Sequence, residues 1–197
     1  MEDKTLRLLM ALLFAFAGFA AVETFFTLYA TEVLGWTGGE ATQSLIFVSG
    51  TLVLGAVPAG LAATRIGRKR AIQIGMFVFT AALLAVAFVS DPAPLRALFV
   101  AAGAGWALIV VSAYPIVVAR APEGQTGAYT GLYYLFTSAA AIASPLVVGQ
   151  TMDLLGRQSL FYASAVLVAV AIWLFWTVPD DEASARKAPA GASALDA

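Results

Sequence analysis

Apolar residues run along this chain in six long stretches: Leu6 to Leu34, Ser44 to Ala63, Ala71 to Ser90, Leu95 to Ala119, Tyr129 to Thr151 and Ser159 to Val178. Each approaches or exceeds the roughly 20 residues that a helix needs to cross a bilayer, so the pattern predicts six transmembrane helices. The breaks between them carry turn residues: Gly35, Gly38 and Gly39; Gly67; Asp91, Pro92 and Pro94; Pro122 and Gly124; and Gly156. These connections are short, so neighbouring helices run antiparallel. After Pro179 the composition turns acidic and then rich in Ala, Ser, Pro and Gly, which predicts a disordered tail over 179–197.

The polar breaks repeat. Gly60, Thr64, Gly67 and Arg68 reappear at the same spacing as Gly149, Asp153, Gly156 and Arg157, shifted by 89 positions. The same shift lays Gly35, Thr37 and Gly38 over Gly124, Thr126 and Gly127, Phe47 over Phe136, and Ser49 over Ser138. The chain is therefore expected to divide into a first three-helix repeat over 1–90 and a second over 91–178. Three crossings is an odd number, so the second unit enters the membrane from the opposite side. The fold class expected is an all-α membrane protein whose six transmembrane helices form an inverted 3+3 repeat, an architecture common in secondary transporters.

Composition sharpens this picture. The 197 residues are 61% hydrophobic and 12% charged, with a mean hydropathy of +0.88, against about 45–50% apolar and about 25% charged in soluble domains. Cysteine and histidine are both absent, which excludes disulfides, Cys/His metal sites and any mechanism needing a His base or Cys nucleophile. With no Walker loop and, within the apolar stretches, no clustered Asp pair for metal-dependent headgroup transfer, an intramembrane enzyme has little to work with, and no cofactor is expected. The scattered bases and a net charge of -1 argue against nucleic acid.

Charge also sets orientation. With the N terminus in the cytoplasm, Lys4, Arg7, Arg65, Arg68, Lys69, Arg70, Arg120, Arg186 and Lys187 lie inside and only Arg96 and Arg157 outside, as the positive-inside rule asks. Both termini are then cytoplasmic in a multi-pass protein of the cell membrane. A rival reading takes Lys4, Arg7 and Leu8 to Ala21 as a secretory signal, but the apolar run continues past any cleavage site to Tyr29.

Polar residues inside the stretches are few. Glu23, Thr24, Thr27 and Thr31 form one stripe on the first helix, and Thr130, Tyr133, Tyr134, Thr137 and Ser144 recur at helical period on the fifth. The fourth offers Trp106, Ser112 and Tyr114, the second offers Gln43, Ser49, Thr51 and Gly55, and the third and sixth offer almost nothing. Helices one, two, four and five are thus expected to line a wet pathway, with Thr24, Thr27, Trp106, Ser112, Tyr133, Tyr134 and Thr137 as candidates to meet a solute. The competing structural reading is that membrane helices use Ser, Thr and Tyr simply to pack.

Glu23 is the sharpest single residue. An acid near the bilayer centre costs about 2.5–3.5 kcal/mol on insertion scales, so it must face a cavity or a partner, and this makes it a proton-coupling candidate. The plainer reading is an interhelical hydrogen bond. The repeat places Ser112 at the corresponding depth.

The loop Gly60-x-x-x-Thr64-Arg65-x-Gly67-Arg68-Lys69 resembles the cytoplasmic signature loop of the major facilitator superfamily, and the 3+3 repeat is similar to one half of that fold. Ala21 to Ala30, Gly105 to Leu108 and Gly127 to Tyr134 resemble the C-terminal half of carriers near the sucrose and disaccharide proton symporters. What the resemblance implies is alternating access, a solute bound between two six-helix bundles, and a loop that latches helices on the cytoplasmic side. Two departures stand out: Thr64 replaces the usual Asp, which reappears as Asp153, and Ile109 to Ser112 lacks the expected asparagines.

The expectation is accordingly a half-size secondary transporter moving a small solute, with a sugar and proton coupling as the finer reading. It would build its pathway as a homodimer or with a separately encoded N-terminal half. The alternative is a membrane protein without transport activity, either a truncated remnant or a unit that regulates a full carrier. Met1 with Lys4 and Arg7 favours a natural start.

Overall fold

The computed structural model describes residues 3–178; the tail expected over 179–197 lies outside the described residues. Among those residues there are six helices and no strand: α1 Asp3–Glu32, α2 Gly38–Ile66, α3 Arg68–Val86, α4 Pro92–Val118, α5 Thr126–Leu155 and α6 Ser159–Trp176. All six are long and apolar enough to cross a membrane. Five expected stretches agree with these helices to within four residues at each end.

The exception is α2, which starts six residues earlier than Ser44. Thr37 caps it. Its hydroxyl accepts from the Glu40 amide at 3.2 Å, while the Glu40 carboxylate accepts from the Thr37 amide at 2.9 Å. This reciprocal pair satisfies two of the amides that a helix start leaves without partners, so the polar residues before Ser44 join the helix instead of a loop.

The inverted repeat is written into the turns. Four described residues have positive φ, all glycine, and they pair at the 89-residue shift: Gly35 (+70°) with Gly124 (+77°), and Gly67 (+93°) with Gly156 (+91°). Helix packing follows the same exchange. α1 packs mainly on α5 and α6, and α4 packs mainly on α2 and α3, whereas sequential neighbours within a unit touch far less. Each three-helix unit therefore covers the other's central helix.

Where backbones come closest the residues are small. A Cβ on Gly75 of α3 would lie 2.5 Å from the Gly105 carbonyl oxygen of α4, and one on Gly105 would lie 2.8 Å from the Gly75 carbonyl oxygen. Lipid tails are as apolar as leucine, so helix association in a membrane rests on this sort of close packing. Toward the C-terminal end of α1, Phe26, Phe99, Tyr29 and Phe161 meet edge to face, with ring centroids 4.7 Å apart for Phe26–Phe99 and 4.8 Å for Tyr29–Phe161.

α2 and α5 are the least covered helices. Val53, Leu54 and Val57 on α2 and Ile142, Leu146 and Val147 on α5 expose more than half of their surface. The open faces of these two helices are thus mainly apolar, and α3 and α6 also present large apolar side chains such as Phe77, Val166 and Trp173.

The α3–α4 contact leads to a stability prediction. Gly75→Ala forces its methyl against backbone and is expected to destabilise by about 1–3 kcal/mol, read as a lower thermal midpoint in detergent. Gly131→Ala, where nothing lies within 4 Å of the added Cβ, is expected to leave the midpoint unchanged or raise it, since alanine favours a helix interior over glycine by about 1 kcal/mol.

Candidate functional site

The candidate site is built on one stripe of α1. Phe16, Phe19 and Glu23 fall at i, i+3 and i+7, so they lie one above another on the same helix face. Both phenylalanines are half-buried and Glu23 is exposed. Among the described residues no hydrogen bond or ion pair reaches the Glu23 carboxylate.

Beside Glu23 is a cavity of about 50 Å³, enclosed by Phe19 and Val22 of α1 with Val48 and Ser49 of α2, Phe79 of α3 and Phe99 of α4. Its walls are apolar apart from Glu23 and Ser49, and it has room for water. Within the apolar lengths 8–31, 45–63, 71–86, 97–118, 129–151 and 159–176 of the six helices, Glu23 is the only Asp, Glu, Lys or Arg.

From Phe16 and Phe19 the aromatic contact continues into α4 and α5. The Trp106 indole stacks on Phe19 with centroids 4.1 Å apart and planes at 1°, and it meets Phe16 edge-on at 4.9 Å. Phe16 also meets Tyr133 edge-on at 6.3 Å. Tyr133 then joins Tyr114 at 5.5 Å and Tyr134 at 5.2 Å, and these two lie 6.4 Å from each other. The result is one run of rings from the buried Phe79 out to an exposed tyrosine pair, Tyr114 and Tyr134.

The expected pathway residues therefore divide. Thr24 and Tyr134 are exposed, and Thr27 and Thr137 are partly so. Trp106, Tyr133 and Ser112 are buried within helix packing. The Ser112 hydroxyl, like that of Ser164, has no partner among the described residues. Several other hydroxyls are engaged by their own helix: Thr31 donates to the Thr27 carbonyl at 3.0 Å, Thr130 to that of Thr126 at 2.9 Å and Thr137 to that of Tyr133 at 3.0 Å. Ser144 instead ties α5 to α1 by donating to the Ala17 carbonyl at 2.5 Å.

Sequence reasoning had not singled out Phe16 and Phe19. Their signal was available in the i, i+3, i+7 spacing to Glu23. It was hidden because phenylalanine is common in any apolar stretch.

The two glycine turns sit at opposite ends of the bundle. At Gly67 the chain turns from α2 into α3 with Arg65 in the last turn of α2, where a cation suits the negative end of the helix dipole. The Gly67 amide donates to the Ala63 carbonyl at 3.0 Å and Thr64 donates to that of Leu61 at 2.8 Å. Lys69 reaches the Val178 carbonyl just beyond α6, and Gly60 faces Val111 of α4; Arg68 also makes an interaction. At the other end Arg157 pairs with Glu32 at 2.6 Å and with Asp153 at 2.7 Å. These bonds, Glu32's first, hold the guanidinium above its usual pKa.

The sequence profile described as "Major Facilitator Superfamily" matches residues 8–196. The protein named "Uncharacterized MFS-type transporter YhhS" from Escherichia coli O157:H7 is 31% identical over 169 residues, covering 85% of this chain and 40% of that protein. The protein of the same name from Salmonella typhi is 28% identical over 186 residues, covering 93% of this chain and 45% of the relative. Among solved structures, a glutamate-to-glutamine variant of the peptide transporter POT in complex with alafosfalin superposes with a TM-score of 0.78 at 20% identity, covering 87% of this chain and 37% of that one. This chain thus spans less than half the length of the relatives it matches.

The burial of the rings separates support from access. Trp106→Ala removes the stacked centre and is expected to cost about 3–5 kcal/mol of stability. Tyr134→Ala, at a side chain 59% exposed, is expected to stay within about 0.5 kcal/mol. Thermal unfolding of both variants in detergent checks the contrast.

Proposed function

The chain belongs to the major facilitator superfamily, and on that premise we propose that it is one six-helix half of a secondary carrier that moves a small solute by alternating access, with Glu23 as the proton-coupling residue. The observation that carries this reading is Glu23 itself. It is the only Asp, Glu, Lys or Arg within the six apolar lengths, it is exposed on the bundle, and it borders a small cavity with an otherwise apolar wall apart from Ser49. A carboxylate that is neutral in one state and charged in another can link proton movement to a change of conformation, because its desolvation cost differs between states.

The other half of the pathway is provided by a second copy or by a separately encoded six-helix unit. The exposed apolar faces of α2 and α5 support this, since they offer a wide surface for a partner bundle. The chain sits in the cell membrane with both termini cytoplasmic, a placement supported by the distribution of its bases. It acts as a carrier and not as an enzyme.

The sugar reading asks for many free donors and acceptors. Thr31, Thr130 and Thr137 direct their hydroxyl protons to their own helix carbonyls, so the solute is left here as a small organic molecule. The open apolar faces of α2 and α5 also suit a second reading, a non-transporting unit that associates with a full carrier.

Glu23→Gln is expected to abolish uptake driven by a pH gradient in proteoliposomes while the thermal midpoint is unchanged. Unaltered uptake removes Glu23 from the coupling step. The second reading predicts no solute flux at any protein density and co-purification with a larger membrane protein.

A further inference from the structure

We infer that the α1 stripe and the tyrosine cluster together form a binding site for an amphipathic organic cation, an ammonium or phosphonium group carrying an aromatic or aliphatic body. This deepens the carrier reading above and rests on it for the physiological role, although the binding itself can be tested alone.

Charge is the first argument. Glu23 is the only Asp, Glu, Lys or Arg within the six apolar lengths, so an anionic solute finds no counter-charge there and would lie beside a carboxylate. The two bases expected at the outer rim are both occupied. Arg157 is paired with Glu32 and Asp153, and Arg96 donates to the Ser44 hydroxyl at 3.3 Å with its guanidinium 5.7 Å from the Phe47 ring centre. A cation instead meets an exposed carboxylate that no described residue neutralises.

Ring geometry is the second. Tyr114, Tyr133 and Tyr134 pack mutually with centroids 5.2–6.4 Å apart, and Tyr114 and Tyr134 leave 38% and 59% of their surface open. Aromatic faces attract cations through the ring quadrupole and accept apolar bodies by stacking. The phenol of Tyr114 is already hydrogen-bonded to Thr130 at 3.2 Å, which turns the pair further toward π contact and away from hydroxyl recognition.

Spacing is the third. Tyr133 touches Phe16, and Phe16 lies seven residues from Glu23, which at the helix rise is about 10 Å along α1. The half-buried Phe16 and Phe19 fill the interval. A cation held beside Glu23 can therefore rest its apolar body on these rings on the side toward Tyr134.

The test is equilibrium binding to the purified full chain in detergent, corrected for partition into empty micelles, with three probes: tetraphenylphosphonium, its anionic counterpart of the same shape tetraphenylborate, and a neutral disaccharide. Saturable binding of tetraphenylphosphonium alone is expected. Glu23→Gln should weaken it at least tenfold and Tyr134→Ala about threefold, with thermal midpoints showing that both variants are folded. Equal binding of tetraphenylborate, undiminished affinity in Glu23→Gln, or no saturable binding of the cation overturns the assignment. Disaccharide binding without cation binding also overturns it while leaving a carrier in place. Cation binding with no flux in proteoliposomes would keep the site and remove the carrier reading.

Discussion

Inside hydrocarbon a polar group has no water to turn to, and that constraint organises this bundle. Helices satisfy their own backbone, which leaves side chains as the only polar groups in question. Thr31, Thr51, Thr80, Thr130, Thr137 and Thr151 resolve it locally, each donating to a carbonyl one turn back. Ser144 resolves it across helices. The buried hydroxyls of Ser112 and Ser164 also lack a partner among the described residues, but Glu23 is the one group without a partner that is a carboxyl, and this is why it stands out as a functional group.

The same medium dictates how the helices meet. With no hydrophobic drive between them, contact depends on close approach, and the Gly75–Gly105 pair lets α3 and α4 bring backbone against backbone. Packing crosses between the two three-helix units, α1 on α5 and α6, α4 on α2 and α3. Neither unit covers its central helix by itself. The inverted repeat is thus a single packed body in which α2 and α5 are left with open apolar faces, and a second bundle laid on those faces would bring the Glu23 stripe and the tyrosine cluster into a shared interior.

Much of this was legible in the sequence because it depends on period and punctuation. The apolar stretches located all six helices, and the four glycines that take positive φ are among those the 89-residue shift pairs. The start of α2 was less legible, since Thr37 and Glu40 look like loop residues until their reciprocal bonds are seen. The aromatic run was least legible. Trp106 reads as a pathway residue from its polar indole, yet it stacks on Phe19 in the packed interior, and only contacts between distant helices reveal that Phe16 leads from Glu23 toward Tyr133. Hydrophobicity patterns rank residues by type; they do not say which of several equivalent rings will meet.

We propose that this bundle works against a second one laid on α2 and α5. The chain has no cysteine, so single spin labels can be placed cleanly at Leu54 on α2, Ile142 on α5 and Val166 on α6, all exposed in the single bundle. Collision rates with oxygen, which concentrates in the bilayer, then report which faces meet lipid in reconstituted membranes. Low oxygen access at Leu54 and Ile142 with high access at Val166 is the predicted result. Equally high access at all three positions would mean that no second bundle covers those faces.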